Sequence, residues 1–544
     1  MLVWLLVYVY MKLIDRKNNL NKKVLHFLVA SLVAIFTTGW MRVHLIPWGV
    51  ELDGGHYTFM AYYFYQMSPN IPSEMPLFLY STMTSWVYGL EINQWMALRW
   101  IDLCLAVIAS IIFFKVIIKE SASLPFAFII LISSFLIMND MVAIDFGFSN
   151  SIWASYIPFF TALLISQNVN KDNHYVFYFI GGLAALGVLL REPLLSYFIV
   201  GGMSILIGYG WRSFLKYSIG AALLGFPIVG ASLMLRGWDF VGFIHGYNYI
   251  GKVVTDYNLL LPDSFTQSGL IMASEFWYGL ILFIISVFYI TKNFLSDNKI
   301  NLGRFAFWLA IAFVPLIEAG TKLAVPYHFA QCIPGFVGFI ALTWKHLSFN
   351  ESKTIQRYSM IFIYLLCFLG VYSKLHLIYN NYHDEKTLKN AYNQLWTDLY
   401  RKNPETIKTS NYLISADVIR QLSNKDSTLA VGGVGMEALY PLTGLLPPTF
   451  RLTDLRSLYA SLEFNENQLV NILREQRPTI IMPSRQYLVK NYSKLIWGIE
   501  RLPRAIQRTG LYELVSIIEY NENIEAAPIS GNIYRLKTFV KEGN

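Results

Sequence analysis

Apolar runs of about twenty residues follow one another along this chain, each closed by a short charged or glycine- and proline-rich break. A helix on the surface of a water-soluble protein shows an apolar stripe and a polar face. These runs are apolar all round, and about 20 such residues is what a helix needs to cross a bilayer. The pattern predicts spans near residues 24–40, 101–118, 122–138, 150–167, 175–190, 194–210, 214–235, 270–290, 303–318, 329–344 and 358–379, about eleven in all. Residues 1–14 are apolar but short, and lack the basic start and small-residue cleavage site of a signal peptide; if they span, they add a twelfth helix and leave the rest unchanged.

Charge orients the pattern. Arg16, Lys17, Lys22 and Lys23 precede the first span, which puts that flank in the cytoplasm. Alternate crossings then bring Lys115/Lys119, Lys171, Arg212/Lys216, Lys292/Lys299/Arg304 and Lys345/Lys353/Arg357 to the same side, and an odd number of spans leaves the C-terminus outside. Composition agrees: of 544 residues 55% are hydrophobic and 14% charged, where a soluble domain carries about 25% charged. The expected fold class is mainly α, a polytopic transmembrane helical bundle. The net charge of +8 sits in these loop blocks, so no nucleic-acid partner is expected. Cys104, Cys332 and Cys367 all fall in apolar runs, which excludes a disulfide framework or a cysteine-based zinc site.

Three regions do not read as spans. The outer loop 41–100 carries Glu51, Asp53, Glu74 and two prolines around an aromatic-rich stretch, and the loop 236–269 has the composition of a segment lying along the membrane surface. From about residue 380 charge density roughly doubles, so the expected domains are a transmembrane part, 1–379, and a small extracytoplasmic α/β domain, 380–544. In it Asp384–Arg420 is helix-patterned, Thr428–Val431 and Thr479–Met482 read as short buried strands around a helical run Gln468–Gln476, and Leu511–Tyr520 with Gly531–Lys537 reads as a closing pair.

Carboxylates at the rim of a membrane cavity are functional candidates. The sequence offers Glu51-Leu-Asp53-Gly54-Gly55-His56-Tyr57 after the first span, and Asn139-Asp140 with Asp145 between the third and fourth. A general base or cation ligand at Asp53 competes with a helix N-cap, the helix then starting near Gly55, and Asp145 competes with a solvated turn or cap. Arg191, Lys322 and His328 fall at the same depth and could balance a phosphate. Their plainer roles are an ion pair with Glu192, snorkelling to the interface, and helix-start packing.

The order Asp53…Tyr57-Thr-Phe-Met-Ala61, Ser73-Glu74-Met75-Pro76-Leu77, Val87-Tyr88-Gly89-Leu90 and Ala97-Leu98-Arg99-Trp100 resembles the opening of GT-C superfamily glycosyltransferases. That group contains the protein O-mannosyltransferases and the lipid A aminoarabinose transferase. Arg191-Glu192-Pro193, Pro326-Tyr327-His328-Phe329, and in the tail Leu429-Ala-Val-Gly-Gly433 with Leu439-Tyr440-Pro-Leu-Thr443-Gly444 are similar to later segments of the same proteins. The chain departs from many of them in having Gly54 after Asp53 and Glu74-Met75 where a His or Lys is usual. The resemblance implies an inverting transferase that moves a sugar from a polyprenyl-phosphate donor to a glycolipid, glycan or protein acceptor among membrane lipids; of a bacterial plasma membrane and an endoplasmic reticulum membrane, Lys541-Glu-Gly-Asn544, which is no retention signal, points to the first. On it Asp53 and Asp145 are catalytic. Arg191, Lys322, His328, Glu74 and Tyr57 bind the donor, and Glu51 and Asp140 hold an optional Mg or Mn ion. No Walker loop and no Gly-x-Gly-x-x-Gly after a strand is present, so no nucleotide cofactor is expected. A polysaccharide polymerase or O-antigen ligase, or a secondary transporter with a broken helix at Arg191, is the alternative.

Overall fold

The computed structural model describes residues 19–39, 52–75, 77, 79–90, 94–144, 150–167, 175–191, 194–246, 270, 273–296, 302–320, 330–384, 411–433, 436–463, 465–484, 493–518 and 531–537. The N-terminal part is helical: α1 (Asn19–Ala34, ending in a π-turn Ile35–Gly39), α2 (Leu52–Met67), α3 (Leu79–Thr84), α4 (Gln94–Ser121), α5 (Leu124–Ile144), α6 (Asn150–Ser166), α7 (Val176–Leu190), α8 (Leu195–Tyr209), α9 (Trp211–Met234), α10 (Trp277–Ser296), α11 (Leu302–Gly320), α12 (Ile333–Asn350) and α13 (Lys353–Asp384). Every stretch expected to span overlaps one of these. Among the described residues, Ala97–Ser121, Trp211–Met234 and Lys353–Ser373 are long and apolar enough to cross a bilayer, and seven shorter apolar helices accompany them. The chain is an integral membrane protein.

Lipid tails offer no hydrophobic reward for helix pairing, so the bundle is joined by close backbone approach and by polar contacts. At the α7–α9 crossing a Cβ on Gly181 would come within 1.9 Å of the Tyr217 carbonyl oxygen, and one on Gly220 within 2.0 Å of that of Tyr178. Glycine alone permits this. Thr38 in the π-turn shares a hydrogen bond with Ser110 of α4 (2.8 Å), and Asn139 of α5 donates to Thr38 (3.1 Å) and to the Phe135 carbonyl (2.7 Å). At the far end of α4, buried Glu120 accepts from Arg304 Nε of α11 (2.9 Å) and from Gln167 Nε2 after α6 (2.9 Å). The segment read as a span at 329–344 is α12, whose residues Ile333–Trp344 are all buried; it runs through the bundle's centre between α10 and α11.

The C-terminal part is α14 (Asn411–Leu422), β1 (Leu429–Gly432), α15 (Glu466–Gln476), β2 (Ile480–Pro483), α16 (Ser493–Arg508), β3 (Tyr512–Ile518) and β4 (Gly531–Leu536). It forms a mixed sheet of order β1-β2-β4-β3, with β1 parallel to β2 and the other pairs antiparallel. Side chains alternate between two faces with the strand period of two. Ala430, Ile481, Tyr512 and Tyr534 pack with Leu455, Leu458, Leu469, Leu473, Leu502 and Ile506 from the covering helices. Leu429, Val431, Ile480, Met482, Ile518 and Ile533 point the other way, toward Ala416 and Ile419 of α14 and toward Phe59, Met60, Tyr62 and Tyr63 of α2. Helix α2 therefore supplies part of the sheet's second core.

Candidate functional site

The segment from Leu52 to Met75 is fixed between the bundle and the C-terminal sheet domain. Helix α2 starts at Leu52, so Asp53 lies inside its first turn rather than at a cap preceding Gly55. Gly54 and Gly55 cost about 1 kcal/mol each relative to Ala in a helix; the apolar packing of the turns that follow offsets this. On the domain-facing side Phe59 meets Tyr440 (ring centroids 4.6 Å apart) and Tyr63 meets Phe450 (5.8 Å). Tyr440 donates to the carbonyls of Thr453 and Leu452 (3.1 and 3.3 Å), which ties the domain's irregular turns behind it.

One helical turn after Asp53, His56 Nδ1 stands 3.6 Å from Glu437 Oε1 of the C-terminal domain. Burial holds the Glu437 carboxyl above its usual range, the nearby His56 opposes this, and buried Asp454 adds to it. Tyr57 turns to the other side: its ring meets Tyr80 of α3 edge-on at 6.5 Å, and its carbonyl accepts from Ser81 (3.2 Å). Glu74 pairs with Arg451 of the soluble domain through two contacts, 2.9 and 3.1 Å, at an exposed rim.

Below this layer, Leu77 and Leu79 pack on Leu186, Leu189 and Leu190 at the end of α7. Arg191 follows directly. It is buried, its backbone is extended (φ −156°, ψ 110°), and it breaks α7 from α8. Tyr156 of α6 lies within electrostatic reach of Arg191, and Tyr197 donates to the carbonyl of Gln331. The stretch that leads into α12 thus ends beside Arg191 and its tyrosines.

Of the residues singled out from sequence, Tyr57, Glu74 and Arg191 have described side chains, and contiguous packing joins their neighbourhoods. Asp53 and Asp140 are placed by their backbones alone, in α2 and α5. Glu51, Asp145, Lys322 and His328 lie outside the described residues. The Asn139–Thr38 hydrogen bond sets the residue before Asp140 beside the π-turn that ends α1. Among the described residues no group of three or more His, Cys, Asp or Glu is arranged to hold a metal. Sequence reasoning missed Asp102, buried on α4 one turn from buried Arg99, and the His56–Glu437–Asp454 group. Two charges three residues apart in an apolar helix were the available signal for the first; the second is made by residues far apart in sequence. No protein-family model and no curated protein matches this sequence.

Proposed function

We propose that the protein is a membrane glycosyltransferase of the GT-C kind, an eleven-span bundle of a bacterial plasma membrane with loop 41–100 and the C-terminal domain outside. It moves a sugar from a polyprenyl-phosphate donor to a hydroxyl of a glycan, glycolipid or protein. The observation that carries this reading is the buried Arg191, set in a helix break among tyrosines, directly under loop 41–100, which bears Asp53 and Tyr57. A lipid phosphate brings negative charge to the headgroup level, and a cation at that depth would steady the charge that develops on it.

In the reaction the acceptor oxygen attacks the anomeric carbon and its proton passes to Asp53. The bond from that carbon to the phosphate oxygen breaks, and its electron pair leaves with the phosphate. Arg191, with Lys322 and His328, balances the charge that develops there, so the leaving group needs no proton. Tyr57 and Glu74 border the donor. A divalent ion, if bound, would take oxygen ligands from Glu51, Asp140 and Asp145 and would add charge at the phosphate.

The test is Asp53→Asn, which keeps shape and hydrogen bonding but cannot take a proton. Transfer from a polyprenyl-phosphate sugar should fall by about 10²-fold or more with donor binding retained. Lys322→Ala should instead weaken donor binding. Full activity of Asp53→Asn ends the assignment of that residue. Uptake of a solute by reconstituted vesicles, with no transfer by the native protein, would favour the transporter.

A further inference from the structure

The chain that follows α9 presents large apolar side chains outward where a water-facing loop would present polar ones. Trp238 is 65% exposed, Phe240 59% and Val241 66%, and Ile244 is exposed beside them. They continue the outward row of α9 itself, where Phe226 is 75% and Met234 66% exposed. On the short helix 240–246, positions 240, 241 and 244 fall within about 100° of one another at 3.6 residues per turn. Phe243 and Gly246 lie on the opposite, buried side.

That second side is pinned to the first outer loop. A Cβ on Gly246 would come within 2.1 Å of the Glu74 carbonyl oxygen, and one on Gly242 within 2.3 Å of Ser73 Oγ, so the backbones meet through glycine. Asp239 accepts from the Gly242 N–H (2.8 Å) and from Ser73, and both hold its carboxyl below the usual range. Arg236, buried, donates from Nε to the Met75 carbonyl (2.7 Å) and lies over the Phe243 ring at 5.8 Å, and Ile71 N–H donates to the Leu235 carbonyl (3.3 Å).

We propose that residues 235–246 are a membrane-seated foot. Trp238, Phe240, Val241 and Ile244 occupy the acyl–headgroup boundary of the leaflet at the C-terminal end of α9, and the opposite side holds the 71–75 turn at a set height above it. Three observations commit this surface to lipid. It is continuous with the lipid-facing side of a membrane-length helix, it is rich in the aromatic residues that favour the boundary, and Asp239 and the Arg236 guanidinium are engaged on the protein side, with the exposed His245 at the flank of the apolar row, within electrostatic reach of Asp239. Through Glu74 and Arg451 the same turn reaches the soluble domain, so lipid, loop and domain are linked in series. None of this depends on the transferase reading.

The test uses the full chain with Cys104→Ser in nanodiscs of phosphatidylcholine and phosphatidylglycerol, spin-labelled in turn at Val241→Cys, Asn70→Cys and, as a reference for lipid exposure, Phe226→Cys. The label at 241 should collide with oxygen more than with a water-soluble nickel chelate, at a depth of about 5–10 Å, and the label at 70 should do the reverse. Nickel access at 241 matching that at 70, with 226 still in lipid, overturns the proposal. So does low access to both reagents with spin–spin broadening, which would mean a second copy covers the surface. Asp239→Ala should raise mobility at 70 while 241 stays in lipid; unchanged mobility at 70 removes the link between foot and turn.

Discussion

At the end of α4, Glu120 is enclosed by Arg304 and Gln167 while the helices around it turn phenylalanine and isoleucine outward. At the junction of α2 with the sheet, Phe59 and Tyr63 pack inward against Tyr440 and Phe450, and the ion pair, Glu74 with Arg451, stays at the rim instead of being enclosed. The difference follows from the solvent on each side. Among lipid tails apolar contact between helices gains little, and charge, hydrogen bonds and glycine-level packing hold them. In water the same aromatic rings are driven together, and an exposed ion pair gains little.

The sharpest way to break the comparison is Arg304→Ala, which leaves Glu120 buried without its cation and should cost about 3–5 kcal/mol, read as loss of folded protein in detergent. The double change Glu120→Met with Arg304→Met should recover most of that, because two apolar side chains of similar volume replace the pair. At the junction Phe59→Ala should cost about 3–4 kcal/mol and expose 411–537 to protease while the bundle remains intact. If Arg304→Ala released the soluble domain as readily, the two regions would not be independently held.

Glu437 sharpens the picture through pH. Burial raises its carboxyl in the folded protein above the ordinary carboxylate range, so its contribution to stability is fully present below that ordinary range and is lost as pH rises through the folded value. The junction should loosen on going from acid to neutral pH, and Glu437→Gln should flatten the profile and raise the melting temperature at neutral pH. A profile unchanged by Glu437→Gln would refute this. The smallest effect is expected for Arg451→Ala: under about 1 kcal/mol, and less at high salt.

The helices were legible in the sequence because a lipid-facing run needs no partner to reveal it, and the strands because Thr428–Val431, Thr479–Met482 and the closing pair are bounded by glycine, proline or charge. The role of α12 was not, since a helix buried all round by protein and one surrounded by lipid read alike. Nor was the place of Asp53 in its helix, where Gly54-Gly55 argued for a later start and tertiary packing overrode that local preference. The tyrosine-lined setting of Arg191 was half legible: the Arg-Glu-Pro break could be read, but Tyr156, Tyr197 and Gln331 come from three separate segments. The α7–α9 crossing and the Glu437 junction depend on which residues meet, and no periodicity carries that.

The sheet's dependence on α2 also sets an order of events during synthesis. Phe59 and Tyr63 leave the ribosome well over three hundred residues before Leu429 and Ile480, a gap on the order of tens of seconds at ordinary elongation rates. Through that interval the apolar side of α2 has no sheet to cover it, and only once the final strands arrive can the outer layer close. A nascent chain halted after α13 would therefore carry an uncovered aromatic surface, an early client for whatever chaperone works at that face of the membrane.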